Sequence, residues 1–387
     1  MSILQHDLLE DDLVSLCIGC AKHPELKALV EADLVKGVCG VCGNSEINVY
    51  NPARFLQIAN LIKALIRFHF SEPTYNGHWG GTSISDILLT QDNPMIWPSS
   101  SNDYSDAFII RVEEEGGVYP DFDEGICLYA GHDDGIRCVM FSLPETESSK
   151  LNAISMRLDR ENFYSVEPAM QAFISRFQCD LEHKISKGEV WYRSRKGVKN
   201  SAIKVDWNDG AIQLAEPFKE SEIGALPPPK ANAGRLNRVG VSVIYLASDI
   251  NTSVAEIRPH QGHLISVGGF CVSRDLRVAK FDLPISQFSS SDARLDMFAD
   301  IFHIDNLLGS PVIPEEHYRY AVTQLLGEVL IKKGFDAVSF RSSVGSGRNI
   351  CAFNPDDFVF DAQFSIVKRV DELRYEFSDI PALEDFE

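Results

Sequence analysis

The chain has 387 residues, 44% of them hydrophobic and 24% charged, with 36 Lys+Arg against 56 Asp+Glu and a formal charge of −20. Its length favours more than one core, and its mixed composition excludes a disordered or collagen-like chain. The acidity disfavours nucleic acid or an anionic membrane as partner, while leaving room for a small basic pocket.

The first segment, MSILQHDLLEDDL, is acidic and lacks the basic start of an export signal. Nine cysteines are an odd number, and four of them stand as Cys17-Ile-Gly-Cys20 and Cys39-Gly-Val-Cys42. Without an export signal, that pattern points to a reducing cytoplasm and to metal rather than disulfides. Two CxxC pairs 18 residues apart have the spacing of two zinc knuckles closing one tetrahedral site, with Gly19, Gly40 and Gly43 giving room for tight turns. Four thiolates leave Zn2+ no open position, so the expected role is structural. Two separate redox-active pairs are the alternative.

The most apolar run, FLQIANLIKALIRFHF (55–70), is interrupted by Gln57, Asn60, Lys63 and Arg67, which argues against a membrane span. Phe55, Ile58, Ala59, Ile62, Leu65 and Ile66 fall on one face of a helix. Arg67-Phe68-His69, with His78 further on, lacks the wider Arg–His spacing of the helical HEPN ribonucleases, so the favoured reading is the end of a packed helix. SEPTYNGHWGG and SSSNDYSD predict loops. A second helix is expected over 167–186, closed by Lys187-Gly188.

The texture then changes. EVWYRSR (189–195) alternates as a strand, with Tyr192 and Ser194 on one face and Trp191, Arg193 and Arg195 on the other. An arginine on an apolar strand face needs an anionic partner, either a ligand phosphate or a nearby carboxylate. GALPPPK (224–230) is a stiff connector. In GRLNRVGVSVIYLASDINTSVAEIR (234–258), Gly234 permits a turn, and Arg235 and Asn237 share a face of the extended chain. VSVIYLA (241–247) is a buried strand. Ser253-Val-Ala-Glu256 fits a capping box; if Ser248 or Asp249 caps the helix instead, Glu256 lies about two turns in and can face a pocket.

HLISVGGFCV (263–272) and RVAKFDL (277–283) predict two more strands, and HYRYAVTQLLGEVLIKKG predicts a helix that Gly334 can cap. Strands DAVSFRS, NICAFN and DDFVFDAQFSIV follow. The loop after Phe340 carries Ser342, Ser343 and Ser346, with neither a Walker lysine nor a GxGxxG turn. The expected architecture is α+β: a four-cysteine zinc-knuckle segment (1–50), a mainly helical region (51–186) and a β-rich domain (187–387).

Taken in order, the strand with Tyr192-Arg193, the segment 234–258 and the run YAVTQLLGEVLIKKGFDAVSFRSS followed by GRNICAF resemble the RES domain, from about Glu189 to Val367. The N-terminal half is similar to the HEPN/RES-type region that precedes some RES domains, paired CxxC included. The resemblance implies a mixed β-sheet similar to that of ADP-ribosyltransferases, NAD+ as substrate, and cleavage of its nicotinamide–ribose bond by hydrolysis or phosphorolysis. It maps the Arg, Glu and Ser of the family's name onto Arg193, Glu256 and Ser342, with Arg195 and Ser343 next in line. It further implies that Arg235 holds the pyrophosphate or adjoining ribose, that Asn237 orients ribose or carboxamide, and that Tyr245 is a stacking wall or a core residue. The expected protein is a cytoplasmic toxin or antiphage defence effector that depletes NAD+, controlled by an antitoxin or regulatory protein, with homo-oligomerisation left open. ADP-ribosyl transfer to a macromolecule and a non-catalytic nucleotide sensor are the alternatives.

Overall fold

The computed structural model describes residues 15–75, 81–82, 84–89, 95–97, 105–114, 141–206, 210–312, 320–374 and 377. It divides into two compact units, Met1–Ala153 with Asp282–Ile304, and Ile154–Phe281 with Asp305–Glu387.

The first unit is mainly helical. It holds α1 (Pro24–Ala32), the hairpin β1 (Leu34–Gly37) and β2 (Ile47–Tyr50), α2 (Phe55–His69), α3 (Glu72–Tyr75), α4 (Ile84–Leu88) and α5 (Ser105–Glu114). The start of α6 (Ser149–Leu158) and most of α9 (Asp292–Gly309) complete it. All six apolar positions expected on one face of α2 are buried. Arg67 is also buried and pairs with Asp292 and Asp296 at 3.0 Å each, which is a structural use of the Arg67-Phe68-His69 run. His78 lies outside the described residues. Among the described residues, no helix is long and apolar enough to cross a membrane.

His23 caps α1, its Nδ1 accepting from the Glu25 amide at 3.3 Å. The ring proton of neutral His23 therefore sits on Nε2, 3.2 Å from the Nε2 of His69, which accepts it. A further proton on either ring would remove the cap acceptor or set two N–H groups face to face. Burial lowers the pKa of both rings below 6.5; at His69 the neighbouring His23 adds to the effect, and Glu25 opposes it at both. Just below pH 6.5 the unfolded chain thus binds more protons than the folded one, so stability falls as pH falls through that value. We expect the unfolding midpoint of the chain to drop between pH 7 and pH 5.5 and the drop to shrink in His69→Gln; equal pH dependence in both proteins would refute the pairing.

The second unit contains α7 (Phe163–Ser175), β3 (Glu182–Ile185), β4 (Val190–Lys196), the hairpin β5 (Asn200–Asp206) and β6 (Gly210–Glu216), β7 (Ile244–Ala247), α8 (Ile250–Glu256), β8 (Leu264–Val272) and β9 (Leu276–Lys280). After the last turn of α9 come α10 (Ala321–Lys332), β10 (Ala337–Arg341), β11 (Arg348–Ala352) and β12 (Phe358–Arg369). Eight strands form one mixed sheet in the order β12-β8-β4-β7-β11-β10-β9-β3, parallel only between β9 and β10. Trp191, Ile244, Leu246, Phe270, Ile350 and Phe358 belong to its buried core. The protein is α+β: a helical N-terminal region followed by a mixed sheet.

Several elements differ from the sequence expectation: α3 falls in the segment SEPTYNGHWGG expected as a loop, and β5, β6 and α9 lie where no element is expected. The helix expected over 167–186 stops at Ser175, and Glu182–Ile185 instead pair with Leu276–Ala279 as an edge strand, burying Ile185 in the sheet core. The units also cross the linear boundary at 187. Helix α7 belongs to the second unit, where Glu167 meets Lys332 of α10 at 2.5 Å, while Asp282–Ile304 belongs to the first.

Gly327 of α10 lies under the Gly234–Asn237 turn, where a Cβ would stand 2.6 Å from the Leu236 carbonyl oxygen. That turn cannot easily retreat, because Gln324 Nε2 donates to the Gly234 carbonyl at 2.9 Å and Thr323 Oγ1 donates to that of Arg235. Helix propensity alone favours alanine by about 1 kcal/mol, but overpacking against fixed backbone costs roughly 1–3 kcal/mol. Gly327→Ala should therefore lower the urea midpoint; a rise would mean that the turn yields.

Candidate active site

Strand β4 pairs with β8 along its whole length but meets β7 at one residue pair, Tyr192↔Ala247. Beyond that pair the strands part and leave a cleft of about 330 Å³, within the range of small-molecule sites, roughly 300–1,000 Å³. Tyr192, Arg193 and Ser194 all line it. Three consecutive residues can do so because the cleft wraps the free edge of the strand rather than one face. This departs from the alternation read in the sequence, which puts Arg193 on the face of Trp191 and Arg195. Trp191 does enter the core, and Arg195 lies over the Phe218 ring at 4.5 Å, outside the cleft.

Arg193 Nη1 donates at 2.8 Å to the carbonyl of Tyr245, on the strand from which β4 has parted. No carboxylate among the described residues pairs with this guanidinium, and burial lowers its pKa, opposed by Cys351 and Tyr245. A part-buried cation without a counter-ion is costly to the fold and is a ready site for an anion.

Glu256 ends α8 and also lines the cleft. Asp249 is the N-cap, accepting from the Thr252 amide at 2.8 Å, so the alternative to the capping box is the one realised. Ser253, freed from that role, joins β4 through a 2.7 Å contact between its Oγ and that of Ser194. Glu256 Oε1 accepts from Ser342 Oγ at 2.7 Å and from Asn349 Nδ2 at 2.6 Å. The Ser342 hydroxyl in turn accepts from the amides of Val344 and Gly345, tightening the loop between β10 and β11. The loop sits against α8, with the Gly347 amide donating to Thr252 Oγ1 at 3.0 Å; a side chain at Gly347 would collide with Asp249 and Thr252.

The other expected residues divide. Arg235 lines the cleft, but its Nη1 and Nη2 donate to the carbonyls of Leu307, Leu308 and Ser310 at the end of α9, and its charge lies over the Tyr320 ring at 5.4 Å. Burial lowers its pKa, with Tyr320 and Glu256 opposing. Tyr245 lines the cleft while its hydroxyl donates to Asn237 Oδ1 at 3.0 Å and accepts from the Leu236 amide; burial holds its pKa well above the usual phenol value. Asn237 is 5% exposed, and its Nδ2 is engaged by the carbonyls of Asn232, Arg238 and Val241. It locks the 232–241 loop instead of reaching the cleft. Ser342 stands behind Glu256, and neither Ser342 nor Ser343 lines the cleft.

Asn349, Tyr320 and Phe340, none of them a site residue expected from the sequence, also line the cleft. Only Asn349 carried a signal, as a lone amide at the head of the apolar strand NICAF.

In the first unit, Cys17, Cys20, Cys39 and Cys42 bring their sulfurs within 4.8 Å of one another, all buried and none in a disulfide. A tetrahedral Zn–S site needs sulfurs about 3.8 Å apart, so the cluster can close on a metal with small side-chain movements. Tight turns shape it: the Gly43 amide donates to the Cys39 carbonyl at 2.8 Å, with Gly43 at φ +67°. The Cys17 amide points at the Cys39 sulfur at 3.4 Å. Four buried thiols with amide support fit a structural metal.

Fold and cleft thus define a mixed-sheet unit in which a part-buried guanidinium and a doubly anchored carboxylate line the same space. Residues 205–378 match the family model described as RES domain. The match takes in Arg235, Asn237, Tyr245, Glu256, Ser342 and Ser343, whereas Arg193 precedes it and is placed at the cleft by the structure. Among solved structures, the chain is similar to one in the M. tuberculosis MbcT–MbcA toxin–antitoxin complex, at 14% identity over 51% of this chain and 92% of that one, with a TM-score of 0.28. No curated protein matches the chain.

Proposed function

We propose that the RES domain cleaves the nicotinamide–ribose bond of NAD+. The observation that carries this reading is the pairing, in one cleft, of a part-buried guanidinium without a carboxylate partner among the described residues and a carboxylate held by two donors. Arg193 binds the pyrophosphate, the anion its position lacks. Glu256 faces C1′ and the 2′-hydroxyl of the nicotinamide ribose. The C1′–N bond breaks with its electron pair going to nicotinamide, which leaves as a neutral base and needs no general acid. The ribose becomes oxocarbenium-like, and the Glu256 carboxylate stabilises that charge until an oxygen of water or phosphate bonds to C1′ and sheds its proton to solvent. Ser342 holds Glu256, Arg235 and Tyr320 wall the cleft, and Asn237 and Tyr245 fix the loop beneath. The four cysteines hold a structural Zn2+. In a cell the protein acts as a cytoplasmic toxin or defence effector that depletes NAD+, with an antitoxin or regulator to restrain it.

The test is incubation of purified protein with NAD+ labelled in the adenylate. Free nicotinamide with ADP-ribose or its 1″-phosphate is expected. Label retained on a macromolecule would indicate transferase chemistry, and unchanged NAD+ would remove the reading.

A further inference from the structure

We infer that Asn349 is a positioning residue that decides which oxygen of Glu256 meets the substrate; this rests on the NAD-cleavage reading above. Asn349 opens the buried part of β11, paired with Phe340 on one side and Ala247 on the other, and is 7% exposed. Its neighbours Ile350, Cys351 and Ala352 are fully buried, so an apolar side chain would suit the strand. A buried amide is costly unless it is bonded, and this one spends its Nδ2 on Glu256 Oε1 at 2.6 Å. A carboxylate cannot donate, so the amide must present its nitrogen to it.

Ser342 Oγ reaches the same oxygen at 2.7 Å, from the loop on the other side. Two donors from two elements therefore converge on Oε1, while no described residue bonds Oε2. The carboxylate is pinned in rotation, and Oε2 is the oxygen left for the reacting ribose. Ser342 alone is one hydroxyl on a small-residue loop and permits the carboxylate to swing. Asn349 is held in the sheet by strand pairing on both sides, which makes it the reference point for the pair. Locking a reacting group through a rigid neighbour is how a site holds a productive geometry.

The test compares Asn349→Ala with Asn349→Asp, which keeps the shape and replaces the donor by an acceptor facing Glu256. With NAD+ as substrate, kcat should fall roughly ten- to a hundredfold in Asn349→Ala and further in Asn349→Asp, with KM near the wild-type value in both. A packing role predicts the reverse order, because the aspartate fills the volume that alanine leaves empty. Should Asn349→Ala fold poorly, Asn349→Ser, which retains a short donor, takes its place with a smaller loss in kcat. Crystal structures of the variants provide a readout independent of turnover: without the amide, the Glu256 carboxylate should rotate off Ser342. A carboxylate that stays on Ser342, or a kcat close to wild type in both variants, would overturn the inference. Absence of turnover in the wild type would instead refute the proposed function, and the crystallographic comparison would still decide the role of Asn349.

Discussion

If the proposed NAD cleavage holds, Glu256→Gln should lower its rate about a thousandfold and leave the mixed-sheet unit folded. Glutamine keeps the length of the side chain and an oxygen that can accept from Ser342 and Asn349. What it loses is the charge. A unit charge about 4 Å from a developing cation is worth about 4 kcal/mol at an effective dielectric constant near 20, which is about three powers of ten in rate. Ground-state affinity changes far less, because the bound nicotinamide ribose carries its positive charge on the ring and not yet at C1′. Rapid-quench measurement of nicotinamide release, beside the equilibrium affinity for NAD+, separates the two effects. A rate within tenfold of wild type would mean that the carboxylate serves the fold or a different chemistry.

Cys39→Ser should cost the first unit most of its stability and the chain its metal. Metal binding to four thiolates contributes about 10–16 kcal/mol in small zinc domains, comparable to the whole stability of a typical domain, about 5–15 kcal/mol. Next to the cysteines the regular structure is short, β1 and β2 being four residues each, and the cysteines themselves are among the buried residues. Elemental analysis of the purified wild type should find one zinc per chain, and chelator or Cys39→Ser should remove it and lower the first unfolding transition. A chain free of zinc whose unfolding is the same in wild type and variant would show that the four thiols only pack together.

Much of the site was readable along the chain, for reasons that differ by residue. The cysteine pairs were legible because both spacing and turn glycines are local, and the structure gathers all four sulfurs. Glu256 was legible as one of two alternatives. Only the fold shows that Asp249 takes the cap and leaves the glutamate at the far end of α8. The family resemblance made Arg235 an anion binder, yet its guanidinium donates to the end of α9, some 70 residues further on. No local pattern reports a carbonyl that distant. Asn349 was passed over because an amide at the head of a strand is ordinary until the helix carrying its partner is placed beside it.

Helices α2 and α10, strands β4, β7, β8, β9, β10, β11 and β12, the paired cysteines and the polar breaks at the ends of β7 and β10 followed from the sequence by itself. Each depends on period, propensity or turn chemistry within a few residues. The parting of β4 from β7 was decided only by the tertiary structure. Strand pairing joins backbone groups far apart in the chain, and no residue type announces that a ladder will stop after one rung. That stop leaves the Tyr245 carbonyl to Arg193, opens the cleft and sets a guanidinium and a carboxylate around the same space.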